Sequence, residues 1–373
     1  NSVRLTRRGE DRLESGHPWI FSSDVTDRGN SQPGEAVRVL NPKGRFLGIA
    51  HYSSTSQITL RLLTRDDEPN GRAFFLRRLS AAAAHRDRVA PACPAHRLVH
   101  AEGDLLPGLI IDRYGGFFVL QLLDQGMDAA RAVILDCLQE LFSPTGIIAR
   151  NDVPVRKLEG LSLEPELLCG DIPERVSTTI NALHFQADLR RAQKTGVYLD
   201  QRENYLAAAR WARGRALDCF TSTGGFALHL APQFQSVEGV DSSPEALLTA
   251  EANRLANSIP NVTFREANAF DYLRDLEKMG QRFELIILDP PAFAKNRASL
   301  EGARRGYKEL NLRAMRLLER GGVLATFSCS HWFSPEMFDA VLADAAFDSN
   351  RRLRLLDERA QAPDHPIVVG YDE

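Results

Sequence analysis

Two apolar runs constrain this chain more than any other feature. Leu285-Ile-Ile-Leu-Asp-Pro-Pro-Ala-Phe293 stops at an acid and two prolines. Gly322-Val-Leu-Ala-Thr-Phe-Ser-Cys-Ser330 stops at a cysteine between two serines. Each is a short strand-like run, and a helical segment lies between them. In an open α/β sheet, ligands bind beyond the carboxyl ends of the strands. Neighbouring strands of this kind put Asp289 and Cys329 side by side on one rim. A carboxylate beside a thiol there suggests covalent chemistry on a base.

The surrounding pattern agrees. From about residue 180, strand-like runs (216–218, 236–241, 262–265, 283–289 and 323–328) alternate with helical stretches around Leu228, 246–256 and 310–318. Such alternation predicts βαβ units and a parallel, doubly wound sheet. The first seventy residues are different. Runs 34–40, 45–51 and 57–63, separated by turn residues, predict a small barrel that ends at Asp66-Asp-Glu-Pro69. Between these parts, 74–89 and 129–141 read as helices, 146–150 as a strand, and 108–114 with 117–123 as a hairpin across Gly115-Gly116.

The run Asp218-Cys-Phe-Thr-Ser-Thr-Gly-Gly225 follows a strand and opens a helix. Gly224 and Gly225 permit a tight turn and a close approach of backbone to ligand. The spacing is not GxGxxG, which weakens a pyrophosphate reading. Asp241 closes the next strand, where an acid can accept both hydroxyls of a ribose. Asn268-Ala269-Phe270 follows the third strand and is placed to border an adenine ring. Acid, Gly-Gly, acid, Asn-Ala-Phe and Asp-Pro-Pro at successive strand ends suit S-adenosylmethionine, which carries a ribose but no phosphate.

At the other end of the rim, Asp289-Pro-Pro stiffens its loop because each proline fixes φ and restricts its predecessor. Asp289 could hydrogen-bond the edge of a flipped base, bordered by Pro290, with Phe293 stacked on it. Carbon 5 of cytosine or uracil is a poor nucleophile until a thiolate adds at carbon 6, and Cys329 is placed to do this. Cys219 directly follows Asp218 and is expected to point into packing. Cys93, Cys137 and Cys169 have no partner constellation. His331 and Lys295 flank the site, where a solvated role is at least as plausible as grip on phosphate.

Composition bounds the alternatives. A chain of 373 residues suggests two or three domains, and a net charge of −3 restricts any polyanion site to a local basic patch. Five widely spaced cysteines with no CxxC pair argue against a disulfide framework or a metal site, and fit a reducing cytoplasm. No apolar run reaches the length of a membrane span.

Taken together, these residues resemble the bacterial large-subunit (23S) ribosomal RNA cytosine-5 methyltransferases, which join an N-terminal PUA domain to a class I methyltransferase domain. His17-Pro-Trp-Ile-Phe-Ser22 is similar to that family's PUA signature, and Glu102-Gly-Asp-Leu-Leu-Pro-Gly-Leu-Ile-Ile-Asp-Arg-Tyr114 to its central signature. Lys194-Thr-Gly-Val-Tyr-Leu-Asp-Gln-Arg-Glu-Asn204 is similar to the hairpin that leads into its catalytic domain. The resemblance implies Tyr198 and Gln201 at the methionine end of S-adenosylmethionine, with Asp218, Ser222, Gly224, Gly225, Asp241, Asn268 and Ala269 around the rest. It implies Cys329 as the catalytic thiol and Asp289 as the acid that contacts the base. The PUA part implies RNA binding, with Arg7, Arg8 and Arg12 as candidate phosphate contacts; Arg190, Arg191 and Lys194, and Arg304, Arg305 and Lys308, supply further local positive charge, although each cluster alone is more often a solvated face. Family members are often homodimers. They usually run on past a strand at Asp364-His-Pro-Ile-Val-Val369 into a final hairpin strand, whereas this sequence ends at Glu373.

The expected architecture is α/β: a PUA-like β-barrel (1–68), a mixed α/β middle domain (69–179) and a class I, Rossmann-like methyltransferase domain (180–373). The expected activity is methyl transfer from S-adenosylmethionine to C5 of a cytosine in ribosomal RNA. Two rivals remain. One is a guanine or adenine amino-group methyltransferase, which needs no thiol. The other is a non-catalytic RNA-binding assembly factor.

Overall fold

Residues 1–191, 197–211, 213–294 and 296–370 are described in the structure, a computed structural model. The chain forms two units. The first comprises Asn1–Thr179, Ala187–Asp200 and the residues from Ala362 onward; the second comprises Ile180–Gln186 and Gln201–Gln361.

The first unit holds two sheets. Strands β1 (Ser2–Leu5), β2 (Trp19–Phe21), β3 (Val25–Asp27), β4 (Ala36–Leu40), β5 (Phe46–Tyr52) and β6 (Ile58–Thr64) form a sheet of order β2-β6-β5-β4-β1-β3. Alternation sets its inner face: Val37 and Val39 of β4 are buried with Val3, Leu5, Ile20 and Leu60, while Arg38 points outward. Helix α1 (Arg7–Glu14) follows β1, capped by Thr6, whose hydroxyl accepts from the Gly9 N–H at 3.0 Å.

After α2 (Arg72–Val89) come β7 (Ala95–His100), β8 (Leu109–Tyr114), β9 (Phe117–Leu122), α3 (Gln125–Ala129), α4 (Arg131–Phe142), β10 (Gly146–Ala149), α5 (Val155–Leu158) and β11 (Glu166–Gly170). The second sheet has the order β11-β10-β9-β8-β7. Its β8–β9 hairpin turns where Gly115 takes a φ of 62°, which glycine adopts without steric cost. Buried polar groups link the N-terminal sheet to this region within the unit. Arg61 lies 2.9 Å from Glu159 and 3.7 Å from Asp124, and Trp19 Nε1 donates to Glu102 at 2.6 Å. A Cβ on Gly126 would fall 2.0 Å from the His51 ring, so this contact tolerates no side chain.

Two sequence expectations about local structure are corrected. The segment 364–369 is not a strand but irregular backbone. Asp364 Oδ2 accepts from the Arg97 N–H at 2.9 Å, its carbonyl accepts from Arg86 at 2.7 Å, and Pro366 has no N–H to offer a ladder. The hairpin before the catalytic unit lies upstream of 194–204, as β12 (Val176–Ile180) and β13 (Leu183–Ala187). Described residues of 194–204 form a short 3-10 turn, Leu199–Gln201, and the start of a helix. Lys194 and Lys295 lie outside the described residues.

The second unit is the alternating one. It runs through α6 (Arg202–Ala209), β14 (Arg215–Cys219), α7 (Gly225–Leu230), β15 (Ser236–Asp241), α8 (Pro244–Ala256), β16 (Val262–Glu266), α9 (Ala269–Lys278), β17 (Phe283–Leu288), α10 (Leu300–Leu317), β18 (Leu318–Thr326) and α11 (Pro335–Asp348). All strand pairs are parallel, in the order β16-β15-β14-β17-β18. Leu217, Cys219, Val240, Ile286 and Leu288 pack with Leu273, Leu310 and Ala314 from the helices to make its core. The register pairs Cys219 with Leu288 and Leu288 with Thr326, so the loops after β14, β17 and β18 leave the sheet at one level.

Candidate active site

The loop after β14 is built around two carboxylates. Asp218 is fully buried; its Oδ2 accepts from Thr221 Oγ1 at 2.6 Å and from the Ala227 N–H at 3.0 Å. Among the described residues Oδ1 is buried with no hydrogen-bond partner. Burial, only partly offset by those two hydrogen bonds, pushes the carboxyl up to about 7, and the nearby Asp289 and Asp241 push in the same direction. Asp241, at the end of β15, reaches back into the same loop. Its Oδ2 accepts from the Ser222 N–H at 2.8 Å and its Oδ1 from the Ser243 N–H at 3.0 Å.

The backbone between these acids is unusual. Phe220 and Ser222 have φ of 65° and 50°, costly for residues with a Cβ, and Gly224 follows at 88°. Gly225 is required for another reason: a Cβ there would lie 2.5 Å from the hydroxyl of Tyr205 on α6. Asn268 caps α9, its side chain accepting from the Phe270 N–H at 3.0 Å, and Ala269 is buried in the sheet core. Apart from Gln201, in the turn before α6, the sequence-predicted cofactor residues of this unit fall at the ends of β14, β15 and β16. Tyr198 belongs to the 187–200 stretch of the first unit.

On the other side of β14, the loop after β17 carries Asp289. Gln201 Nε2 donates to Asp289 Oδ2 at 3.1 Å, and Gln201 Oε1 accepts from Asn204 Nδ2 at 2.7 Å. Asn204 Oδ1 in turn accepts from Arg359 Nε at 3.2 Å. The next loop carries Cys329, exposed, with its Sγ 3.5 Å from the carbonyl oxygen of Pro290. Cys329 and the Asp289–Pro290 loop are thus in contact, as the two strand ends predicted. Cys219 is the opposite case: fully buried in the core, its thiol is pushed far up by burial.

The aromatic and basic residues depart further from the sequence reading. Phe293 packs on Tyr307 (ring centroids 4.8 Å apart), with Phe270 at 6.1 Å, so its ring is partly occupied by protein. Beside it lies an open groove of about 710 Å³ lined by Phe270, Pro291, Phe293, Gly302 and Arg305. Arg7, Arg8 and Arg12 are tied to carboxylates: Arg7 to Glu10 at 3.1 Å, and Arg8 and Arg12 to the buried Asp24 at 2.5 and 3.1 Å. Arg190 pairs with Asp171, Arg304 with Asp344 and Lys308 with Asp348. Sequence reasoning missed Asn204, Tyr205, Tyr307, Ser330 and Arg359. Ser330 and Asn204 fall inside sequence motifs, but no role could be assigned to any of the five, because each meets its partner only through the fold.

Among the described residues no group of three or more His, Cys, Asp or Glu could hold a metal ion, and no helix is long and apolar enough to cross a membrane. An adenosyl ligand fits what is present. The loop after β14 is shaped by two acids, and Asp218 Oδ1 is a buried acceptor still short of a donor.

A parallel sheet with acids at successive strand ends fits an adenosyl-binding α/β domain, and the family match makes it an S-adenosylmethionine-dependent methyltransferase. Residues 158–369 match a family described as S-adenosylmethionine-dependent methyltransferase, and residues 3–65 match a PUA-like domain. Proteins named ribosomal RNA large subunit methyltransferase I, from Tolumonas auensis and Shewanella amazonensis, are 40% and 41% identical to this chain. Each alignment covers 100% of this chain and 96% of the relative. The chain belongs to the ribosomal RNA large subunit methyltransferase I family. Among solved structures, the methyltransferase SMU.776 complexed with SAH shares the fold, with a TM-score of 0.85 at 19% identity over 100% of this chain and 96% of that one. A SAM-dependent methyltransferase from Streptococcus mutans does so with a TM-score of 0.82 at 19% identity, covering 98% and 95%.

Proposed function

We propose that this protein methylates C5 of a cytosine in large-subunit (23S) ribosomal RNA, by way of a covalent bond between Cys329 and C6 of the base. The observation that carries the reading is the contact of Cys329 Sγ with the Pro290 carbonyl, one residue from Asp289. An amino-group methyltransferase needs an acid at this rim but has no use for an exposed thiol beside it.

S-adenosylmethionine would be held by Asp218, Ser222, Gly224, Gly225, Asp241, Asn268, Ala269 and Gln201, and supplies an electrophilic methyl group on a sulfonium sulfur. The protein's part begins with the target base turned out of the RNA. Asp289 accepts a hydrogen bond from the base's amino group, and Gln201 fixes the rotamer of Asp289. The Cys329 thiolate adds to C6, its electron pair forming the S–C6 bond while the C5–C6 π electrons make C5 nucleophilic. After C5 is methylated, loss of its proton returns the C5–H electrons to the C5–C6 bond and expels the thiolate. PUA-like and α1 residues, including Arg7 and Arg8, would help hold the RNA, with ion-paired arginines exchanging carboxylate for phosphate.

The test is RNA carrying 5-fluorocytidine, in which fluorine cannot leave as a proton does. The expected result is a protein–RNA adduct that survives denaturing electrophoresis and is absent, with turnover, in Cys329→Ala. Cys219→Ala should retain both. Near-normal methylation by Cys329→Ala would overturn the thiol mechanism in favour of amino-group transfer.

A further inference from the structure

Tyr307 lies on α10, fully buried, and has no place in the chemistry described above. Its ring meets Phe293 at 4.8 Å, Phe333 at 5.0 Å and Phe338 at 5.3 Å. Its hydroxyl faces the two serines that flank Cys329. Tyr307 Oη accepts from Ser328 Oγ at 3.0 Å and lies 2.9 Å from Ser330 Oγ, which also accepts from the Ala294 N–H at 3.1 Å. One phenol therefore bonds both neighbours of Cys329 and, through Ser330, the far end of the loop that begins at Asp289. The rest of the loop is joined to the Cys329 segment by the Sγ contact at Pro290.

Burial raises the Tyr307 hydroxyl above its ordinary value, so it stays a neutral donor and acceptor. Its immediate surroundings are aromatic rings and serines, which hold it by packing and hydrogen bonds rather than by charge. A buried phenol with two hydroxyl partners fixes position well, because each lost bond leaves a buried polar group unsatisfied.

We infer that Tyr307 is the positioning residue of this site: through Ser328 and Ser330 it sets the placement of Cys329 relative to Asp289. This rests on the reading of Cys329 as the nucleophile. Catalysis by addition requires thiol and base to meet within a few tenths of an ångström, and a displacement of about 1 Å costs about a hundredfold in rate. No reacting atom need touch Tyr307.

The experiment uses the full chain, S-adenosylmethionine and deproteinised large-subunit RNA from a strain lacking the gene. Tyr307→Phe keeps the ring packing and removes the hydroxyl; Ser330→Ala removes the other end of the bridge. Each should lower kcat by about tenfold or more while leaving the KM for RNA within about twofold. The double variant should lose clearly less than the product of the two single losses, because both changes break the Tyr307–Ser330 bond, while the Ser328 and Ala294 bonds are each lost in only one. In RNA-free protein, the rate of Cys329 alkylation by iodoacetamide should rise about threefold or more in Tyr307→Phe. Unchanged kcat and alkylation, or losses that multiply in the double variant, would overturn the proposal. If alkylation shifts while Cys329→Ala still methylates RNA, Tyr307 stands as the positioning residue and the nucleophile assignment falls instead.

Discussion

The side-chain amide of Gln201 lies 3.1 Å from Asp289 Oδ2, joining residues 88 positions apart. Gln201 is itself held by Asn204, so the carboxylate has a supported partner rather than solvent. We expect Gln201→Ala to lower kcat by about 10- to 100-fold, since a hydrogen bond to a charged group is worth about 1.5–3 kcal/mol. Asp289→Ala should cost at least as much. Single-turnover methylation measures both, and wild-type rates for Gln201→Ala would remove the pair from the mechanism.

Asp241 ties two backbone N–H groups as well as facing the proposed ribose site. Asp241→Ala should weaken S-adenosylmethionine binding by about 1.5–3 kcal/mol in calorimetry and leave RNA affinity nearly intact. It should also lower the melting temperature of the ligand-free protein, because Ser222 and Ser243 lose their acceptor. An unchanged cofactor affinity would show that the ribose lies elsewhere.

Asp218 gives a pH dependence of definite sign. Its folded-state value, about 7, stands above the ordinary 3.8, so the folded protein holds this proton more tightly than the unfolded chain. The stability it contributes is complete below about pH 4 and is lost as pH rises through 7, at about 1.4 kcal/mol per pH unit across that window. In urea titrations of ligand-free protein between pH 5 and 7, the stability of wild type minus that of Asp218→Asn should fall with this slope, since the buried His100 and His229 contribute alike to both. Parallel pH profiles for the two proteins would refute it.

Arg61 is the cation shared by Glu159 and Asp124, all three buried in the first unit. Replacing it by alanine strands two buried carboxylates, and the expected destabilisation is about 3–5 kcal/mol. Denaturant midpoints would measure it. A loss below about 1 kcal/mol would mean that water or another donor reaches the pair.

The catalytic unit was readable from sequence because its determinants are local. Each strand is a short apolar run, and each acid or thiol sits where the run stops, so order along the chain becomes order along the rim. The contacts that turn these residues into a site were not readable. Gln201 meets Asp289, and Ser328 meets Tyr307, only after distant segments have been packed. The Arg7–Arg8–Arg12 cluster looks like a bare basic face in sequence, yet Asp24, 12 to 16 residues away, neutralises part of it. The strand expected at 364–369 failed for a related reason: its apolar residues suit a strand, but Pro366 and the side chain of Asp364 commit the backbone to other partners.

That last contact bears on how the protein is made. Asp364 accepts from the Arg97 amide, and the Asp364 carbonyl accepts from Arg86, so part of the first unit is contributed by residues 267 and 278 positions further along. A ribosome delivers those residues only after the whole of 201–361 has been synthesised. The nascent first unit must therefore wait, with the Arg97 amide lacking its Asp364 acceptor and Arg86 held only by Asp104 and the Arg97 carbonyl, while the catalytic unit emerges. Its completion follows the synthesis of the catalytic unit instead of preceding it.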